Sequence, residues 1–324
     1  VAERYLKERQ MPNEGAVVNR ATGRVSETAP GAKRFLTFLY LGLTILLWGS
    51  NWPMLKLAVA DAPPIAFTAA RLLGSAAIIA ILLLAWRRPL LPERGERAML
   101  AWSGFLQIGA LLGANMIGLQ FMQPGRAAVL TFTMPLWAIP LSVWLLHERP
   151  HPMKIVGGLV GLIGLAVFFD PTLVDWRDRG ALIGNGAILL GAVCWALGAV
   201  LYRRRRWRTE FWTQTFWQIL MGGAPLLPVT LAFEVGLPIH FTGTLAIAWV
   251  FTALLGTAVS YWCWAKVLTD MPASTAGQFT MFVPVLAFFY SVAFFGEVVT
   301  KHVVASVALI FVGILLTVRA KVRR

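Results

Sequence analysis

Thr44, Trp48 and Asn51 fall at i, i+4 and i+7, which puts a hydroxyl, an indole and an amide on one face of a helix. Thr257, Tyr261 and Trp264 repeat that spacing, with Ser260 alongside, and Thr133, Trp137, Pro140 and Trp144 extend it by a turn. Asn115, Trp195 and Gln278 add two amides and another indole in other apolar stretches. All these groups are neutral, so the chemistry they offer is recognition. Aromatic faces take apolar side chains and bind an ammonium by cation–π contact. Indole N–H and amide groups donate to a carboxylate, and a zwitterion needs no fixed counter-charge. The candidate substrate-binding residues are therefore Trp48, Asn51, Asn115, Thr133, Trp137, Trp195, Tyr261, Trp264 and Gln278.

The acids point the same way by their positions. All fifteen Asp and Glu fall in the N-terminal segment, in loops or at the ends of apolar runs, the nearest to a run being Asp61, Glu148, Glu234, Asp270 and Glu297. The four His (His147, His151, His240 and His302) also lie at edges. No deep His/Cys/Asp cluster offers a metal site, and no deep acid/base pair offers hydrolysis. The expectation is a non-enzyme with no catalytic residues, no metal and no cofactor. Ion-coupled carriers hold ionisable groups at depth. Their absence here predicts uniport or exchange without proton or sodium coupling.

These residues must be carried by membrane helices. Hydrophobic residues make up 58% of the chain and charged residues 14%. Runs of roughly 20 apolar residues are long enough to cross a bilayer as helices. Ten can be drawn, at 35–58, 64–86, 98–120, 126–146, 153–169, 181–202, 211–233, 245–268, 273–295 and 299–318. The weakest is 211–233, with Gln214, Gln218, Gly222, Gly223, Pro225 and Pro228. Cys194 and Cys263 both lie inside apolar runs, which argues for packing rather than a disulfide framework. Residues 1–34 are polar, with no signal-peptide core, and read as a largely disordered cytoplasmic tail.

Pro135, Glu148 and Gly164 recur as Pro284, Glu297 and Gly313, each 149 positions later. Ten runs over two copies gives five per copy, and an odd number inverts the second. The reading is an all-α membrane protein of ten transmembrane helices in two inverted five-helix repeats, 35–170 and 181–318, with a basic C-terminus at 319–324. With the N-terminus inside, cytoplasmic segments hold 23 of the 29 Lys and Arg, which places both termini in the cytoplasm of an inner-membrane protein. The formal charge of +14 is thereby explained by topology and anionic lipid, not by nucleic acid. The partners implied are a small solute and the bilayer, with oligomeric state open.

Charged and small residues are read as follows. Lys56 and Lys266 snorkel from helix ends. Arg71, about 10 Å along the second run from Pro64 at 1.5 Å per residue, takes a structural partner such as a loop carbonyl. Glu148 and Glu297 sit before runs five and ten and favour those helix N-termini, or act as gate latches at opposite faces. Pro135, Pro140 and Pro284 interrupt runs four and nine, as hinges or as static bends. Gly157, Gly161 and Gly164 form a close-packing edge, within the bundle or between subunits.

Leu47-Trp48-Gly49-Ser50-Asn51-Trp52-Pro53, followed by Lys56, Pro63-Pro64 and Arg71, resembles the EamA branch of the drug/metabolite transporter superfamily. The paired Pro135…Glu148 and Pro284…Glu297 match the same family. The resemblance covers about 35–318. Within it, the Trp-rich runs look like the YddG-type aromatic amino-acid exporters. It implies export of amino acids, aromatic ones especially, by alternating access. A broader exporter of amphipathic metabolites or drugs, a channel and a non-transporting scaffold are the alternatives. The copies differ: Trp195-Ala196-Leu197-Gly198 replaces the first signature and Gln218 stands where Arg71 would fall. The site is expected to be asymmetric.

Overall fold

The computed structural model describes residues 17–18, 25–26, 30–147, 150–169, 178–271, 276 and 279–319. Helices α1 (Pro30–Asp61) and α2 (Pro64–Ala85) come first. Next are α3 (Arg97–Gly104), a π-helical stretch at Phe105–Ala110 and α4 (Leu111–Leu119). The first half closes with α5 (Pro124–Thr131), α6 (Met134–Leu146) and α7 (Pro152–Phe169). The second half runs α8 (Arg179–Arg203), α9 (Phe211–Gly223), α10 (Leu226–Phe233), α11 (Gly243–Val250), a second π-helical stretch at Phe251–Val259, α12 (Ser260–Asp270), α13 (Phe282–Phe295) and α14 (Lys301–Arg319).

Seven helical stretches are long and apolar enough to cross a membrane, and three shorter apolar helices (Pro152–Val167, Phe282–Phe295 and Lys301–Leu316) accompany them. The chain is an all-α, multi-pass membrane protein. The only strands among the described residues are Val17–Val18 and Val25–Ser26, an antiparallel pair in the segment read as a disordered tail. That tail is also shorter than expected. Helix α1 starts at Pro30, not at Phe35, because Lys33 pairs with Asp270 at 2.9 Å and holds the extra turn against α12.

The repeat extends to backbone conformation. Four described residues have positive φ: Arg87 (54°), His147 (54°), Gly236 (84°) and Gly296 (64°). They form two pairs, 87/236 and 147/296, each 149 residues apart. Both π-helical stretches lie in corresponding segments, α3–α4 and α11–α12. Run four breaks at Phe132–Thr133 and run nine at Thr280–Met281, one residue out of step with the repeat. The prolines do not kink continuous helices as expected. Pro135 and Pro284 sit in the first turn of the restarted helices α6 and α13, where a missing N–H costs nothing. Of these three, Pro140 lies inside a helix, on an exposed face. Trp144, expected to point inward, is 71% exposed, on the face of α6 away from the buried Ser142. Run seven divides into α9 and α10 at Ala224–Pro225.

Glutamates tie the halves together. Glu234, after α10, accepts from Ile65 N and Ala66 N at 3.0 and 2.6 Å and so caps α2. Glu96, before α3, accepts from Arg208 N and Thr209 N at 2.9 and 3.0 Å, just ahead of α9. Each half thus supplies a carboxylate that satisfies two backbone N–H groups of the other, in the first turn of α2 in one case and in the segment just before α9 in the other. Glu297 follows the same logic and corrects the expectation that it serves its own next helix. It lies 3.4 Å from Arg126 Nε, against the first turn of α5, where an added Gly125 side chain would strike it. Glu148, its counterpart, lies outside the described residues.

The glycine edge packs within the bundle. A β-carbon on Gly164 would come within 2.7 Å of Ile310 N, and one on Gly313 within 2.5 Å of Gly157 O, so α7 and α14 touch backbone to backbone. Lys56 does not snorkel. Its Nζ donates to Leu119 O and Met122 O at 2.5 and 2.9 Å, closing the C-terminal end of α4.

Candidate functional site

Helices α1 and α12 bring Trp48, Tyr261 and Trp264 into one cluster. The Trp48 ring lies 6.1 Å from Tyr261, edge to face, and 5.6 Å from Trp264. Trp48 Nε1 donates to Ser260 Oγ at 2.9 Å, and that hydroxyl lies 2.8 Å from Gly256 O. Gly256, in the second π-helical stretch, faces Asn51. A β-carbon there would come within 2.5 Å of Asn51 Oδ1. The π-helical stretch and the glycine together let the amide of α1 reach the backbone of its neighbour. Such local unwinding of a helix is frequent at functional sites.

Two groups in this region are polar, buried and unsatisfied. Asn51 Oδ1 meets no hydrogen-bond partner. Arg71, on α2, is 2% exposed, its Nε and Nη1 meet no partner, and no described carboxylate pairs with it. Neither Nε nor Nη1 finds the expected loop carbonyl. Arg71 is instead an electrostatic neighbour of Tyr261. A neighbouring residue, Ser75, shows how α2 meets the unwound stretch: its Oγ lies 2.9 Å from Ala253 O.

The other candidates lie elsewhere. Asn115 Oδ1 accepts from Thr131 Oγ1 at 2.9 Å, a bond between α4 and α5. Thr133 Oγ1 donates to Leu130 O at 2.6 Å and accepts from Trp137 Nε1 at 3.1 Å. These three thus spend their polar groups inside the protein. Trp195 is half-buried on α8, with no hydrogen bond or ring contact among the described residues. Gln278 lies outside the described residues. The structure brings together Trp48, Asn51, Tyr261 and Trp264, all from α1 and α12.

Gln107 escaped the sequence reading. It lies in the first π-helical stretch, its Nε2 is buried without a partner, and its Cγ would be 2.7 Å from a β-carbon on Gly198. Gly198 stands 147 residues after Asn51, and Gln107 stands 149 before Gly256. The same contact therefore occurs twice with the amide and the glycine exchanged. Applying the repeat spacing to the polar residues, and not only to Pro, Glu and Gly, would have shown it.

Two cavities lie elsewhere in the bundle, and neither is lined by Trp48, Asn51, Arg71, Tyr261 or Trp264. One of about 490 Å³ opens at the end of the bundle bounded by Lys56, Gln123, Arg126, Asn185 and Glu297, and none of the described candidates except Glu297 lines it. A second, of about 50 Å³, lies between the two helix breaks, walled by Phe132, Pro135, Thr280, Met281 and Pro284. Among the described residues no group of three or more His, Cys, Asp or Glu is placed to hold a metal ion.

The model of the EamA-like transporter family matches residues 35–169 and again 182–319. Uncharacterized transporter YoaV of Bacillus subtilis (strain 168) is 28% identical over 270 residues, covering 83% of this chain and 92% of its own. Uncharacterized transporter YvbV of the same organism is 26% identical over 281 residues, covering 86% and 90%. A chloroplastic WAT1-related protein of Arabidopsis thaliana is 25% identical over 309 residues, covering 92% and 72%. One solved crystal structure, 19% identical, superposes with a TM-score of 0.61 over 89% of this chain and 96% of that one, which speaks to the fold alone.

Proposed function

The chain belongs to the EamA-like transporter family, and we propose that it exports small amphipathic metabolites across the inner membrane by alternating access. Family members are transporters and not enzymes. The observation that carries the solute class is the α1–α12 cluster. It sets three aromatic rings beside an amide whose Oδ1 is buried without a partner, and α2, which carries Arg71 with two unpartnered nitrogens, meets the same π-helical stretch through Ser75. Rings take the apolar part of a solute and the polar groups take its head. Aromatic amino acids are the narrower occupant, and they fit this pairing.

The mechanism we propose uses ten membrane helices in two inverted five-helix repeats, with both termini cytoplasmic. Three features support it: the 149-residue echo in backbone conformation, the family match to each half, and the basic loops that meet at one end, where Arg88 pairs with Glu210 and Arg205 approaches Glu96. The breaks in runs four and nine face each other across the 50 Å³ cavity and are the hinges in this scheme. Glu297 against α5, with Glu148 at the other face, would latch the two closed states. Export is tested in cells that express the protein and are preloaded with labelled aromatic amino acids and other amphipathic solutes. Faster efflux of at least one such solute than in cells expressing Trp48→Ala is expected. Equal efflux of every solute from both would overturn the reading.

A further inference from the structure

We propose that Arg71 is the anion subsite of the transported solute, so that the solutes this protein takes carry a carboxylate. The proposal rests on the solute-transport reading for its occupant. Arg71 lies seven residues into α2, about 10 Å from its start at 1.5 Å per residue, and is 2% exposed. Snorkelling to the surface does not account for a side chain so deeply buried. Its bonds show no structural partner: Nε and Nη1 are buried with no acceptor, and no described carboxylate pairs with it. A guanidinium stays charged in proteins. A buried charge without a partner is strongly unfavourable, so a chain that keeps one holds it for an anion that comes and goes.

The surroundings say what that anion is attached to. Tyr261 is the electrostatic neighbour of Arg71 and an edge-to-face partner of Trp48, which also stands 5.6 Å from Trp264. The group beyond the charge is thus apolar or aromatic. Asn51 Oδ1 is a second unsatisfied group, and it is an acceptor. It matches a donor on the solute, such as an ammonium. One fixed cation matches a singly charged carboxylate, whereas a phosphate dianion would keep one charge uncompensated. The second half has Gln218 in the corresponding position, so a single such subsite exists in the repeat.

The test uses the full chain purified in detergent and reads melting temperature with and without probe. The probes are 3-phenylpropionate, phenethylamine and inorganic phosphate. Wild type should be stabilised by 3-phenylpropionate, in a saturable way, and by neither of the others. Arg71→Lys, which keeps the charge but moves the donors, should bind 3-phenylpropionate about tenfold or more weakly. Arg71→Met should lose the response and should melt higher than wild type without probe, because the unpaired charge is gone. An Arg71→Met protein that melts lower or fails to fold makes Arg71 structural and overturns the proposal. So does stabilisation of wild type by phenethylamine or phosphate but not by the acid, or an undiminished response in Arg71→Lys. The assay does not read transport. A protein that binds the acid and exports nothing would sink the export reading and keep the subsite, and one that exports amines while ignoring the acid would do the reverse.

Discussion

His147 and Gly296 make the same left-handed turn, at φ 54° and 64°, 149 residues apart. Each caps its helix, and each backbone N–H bonds the serine carbonyl five residues back, Ser142 O and Ser291 O. Glycine takes this conformation freely, whereas a side chain pays a steric penalty. His147→Gly should therefore stabilise the protein, by about 1 kcal/mol. Gly296→Ala should destabilise it by a similar amount. Thermal melts of the purified variants measure both, and a lower melting temperature for His147→Gly would contradict the account.

Glu234 caps α2 and Glu96 holds the segment just before α9, each from the opposite half, and each satisfies two backbone N–H groups. Replacing either with Ala should cost about 1–2 kcal/mol, the scale of a lost cap for Glu234 and of lost bonds to a charged group for Glu96. Helix α2 separates the two sites by roughly 30 Å, at 1.5 Å per residue, so the costs should add. Melting the two single variants and the double variant checks this. A double variant no worse than either single one would show that the caps do not act separately.

Burial pushes the Glu297 carboxyl above its ordinary value of 4.5, against the opposing pull of Ser291, Arg126 and the backbone of Gly125. An acid whose folded pKa is raised binds more protons folded than unfolded within the window between the two values, so stability falls as pH rises across it. The window starts near the ordinary carboxylate value and extends upward. Wild type minus Glu297→Gln, compared at successive pH values from acid to neutral, should therefore show wild type losing ground as pH rises. A difference that is flat, or that runs the other way, would mean that the Arg126 pairing outweighs burial.

Gly313 has no room for a side chain, because a β-carbon there meets the backbone of Gly157 and Gly161. Gly42 has nothing within 4 Å. Gly313→Ala should thus force α7 and α14 apart at a cost of about 1–3 kcal/mol or more. Gly42→Ala should be neutral or mildly stabilising, since Ala is the better helix former. Comparing the melting temperatures of the pair separates crowding from a general effect of glycine replacement.

Much of this was legible in the chain. The apolar runs gave the membrane helices, because a bilayer demands length and apolarity from each one locally. The echo of Pro135, Glu148 and Gly164 gave the repeat. Helical spacing put Trp48 with Asn51 and Tyr261 with Trp264 among the candidates, and the docking of α1 on α12 joined the two pairs. What spacing does not show is which groups are already satisfied. Asn115 and Thr133 look like Asn51 in sequence, yet both are engaged within the protein, and only the packing of α4 against α5 decides that. For Arg71 the converse holds: the missing partner of its Nε and Nη1 is a property of all its neighbours at once. The π-helical stretches and the exchange of Glu96 and Glu234 between halves arise from docking one repeat on the other, which a single sequence does not display.

The central claim is that the cluster around Trp48 and Asn51 holds a solute which this protein carries by alternating access. Counterflow in proteoliposomes tests it most directly, with unlabelled solute inside and a trace of labelled aromatic amino acid or other amphipathic acid outside. The account predicts transient, saturable accumulation of label with no pH or sodium gradient. It further predicts a drop of about tenfold or more in Trp48→Ala and Asn51→Ala protein that still folds, the size expected when a buried binding contact is lost. Accumulation that needs an imposed pH gradient, or full counterflow in both variants, would contradict it.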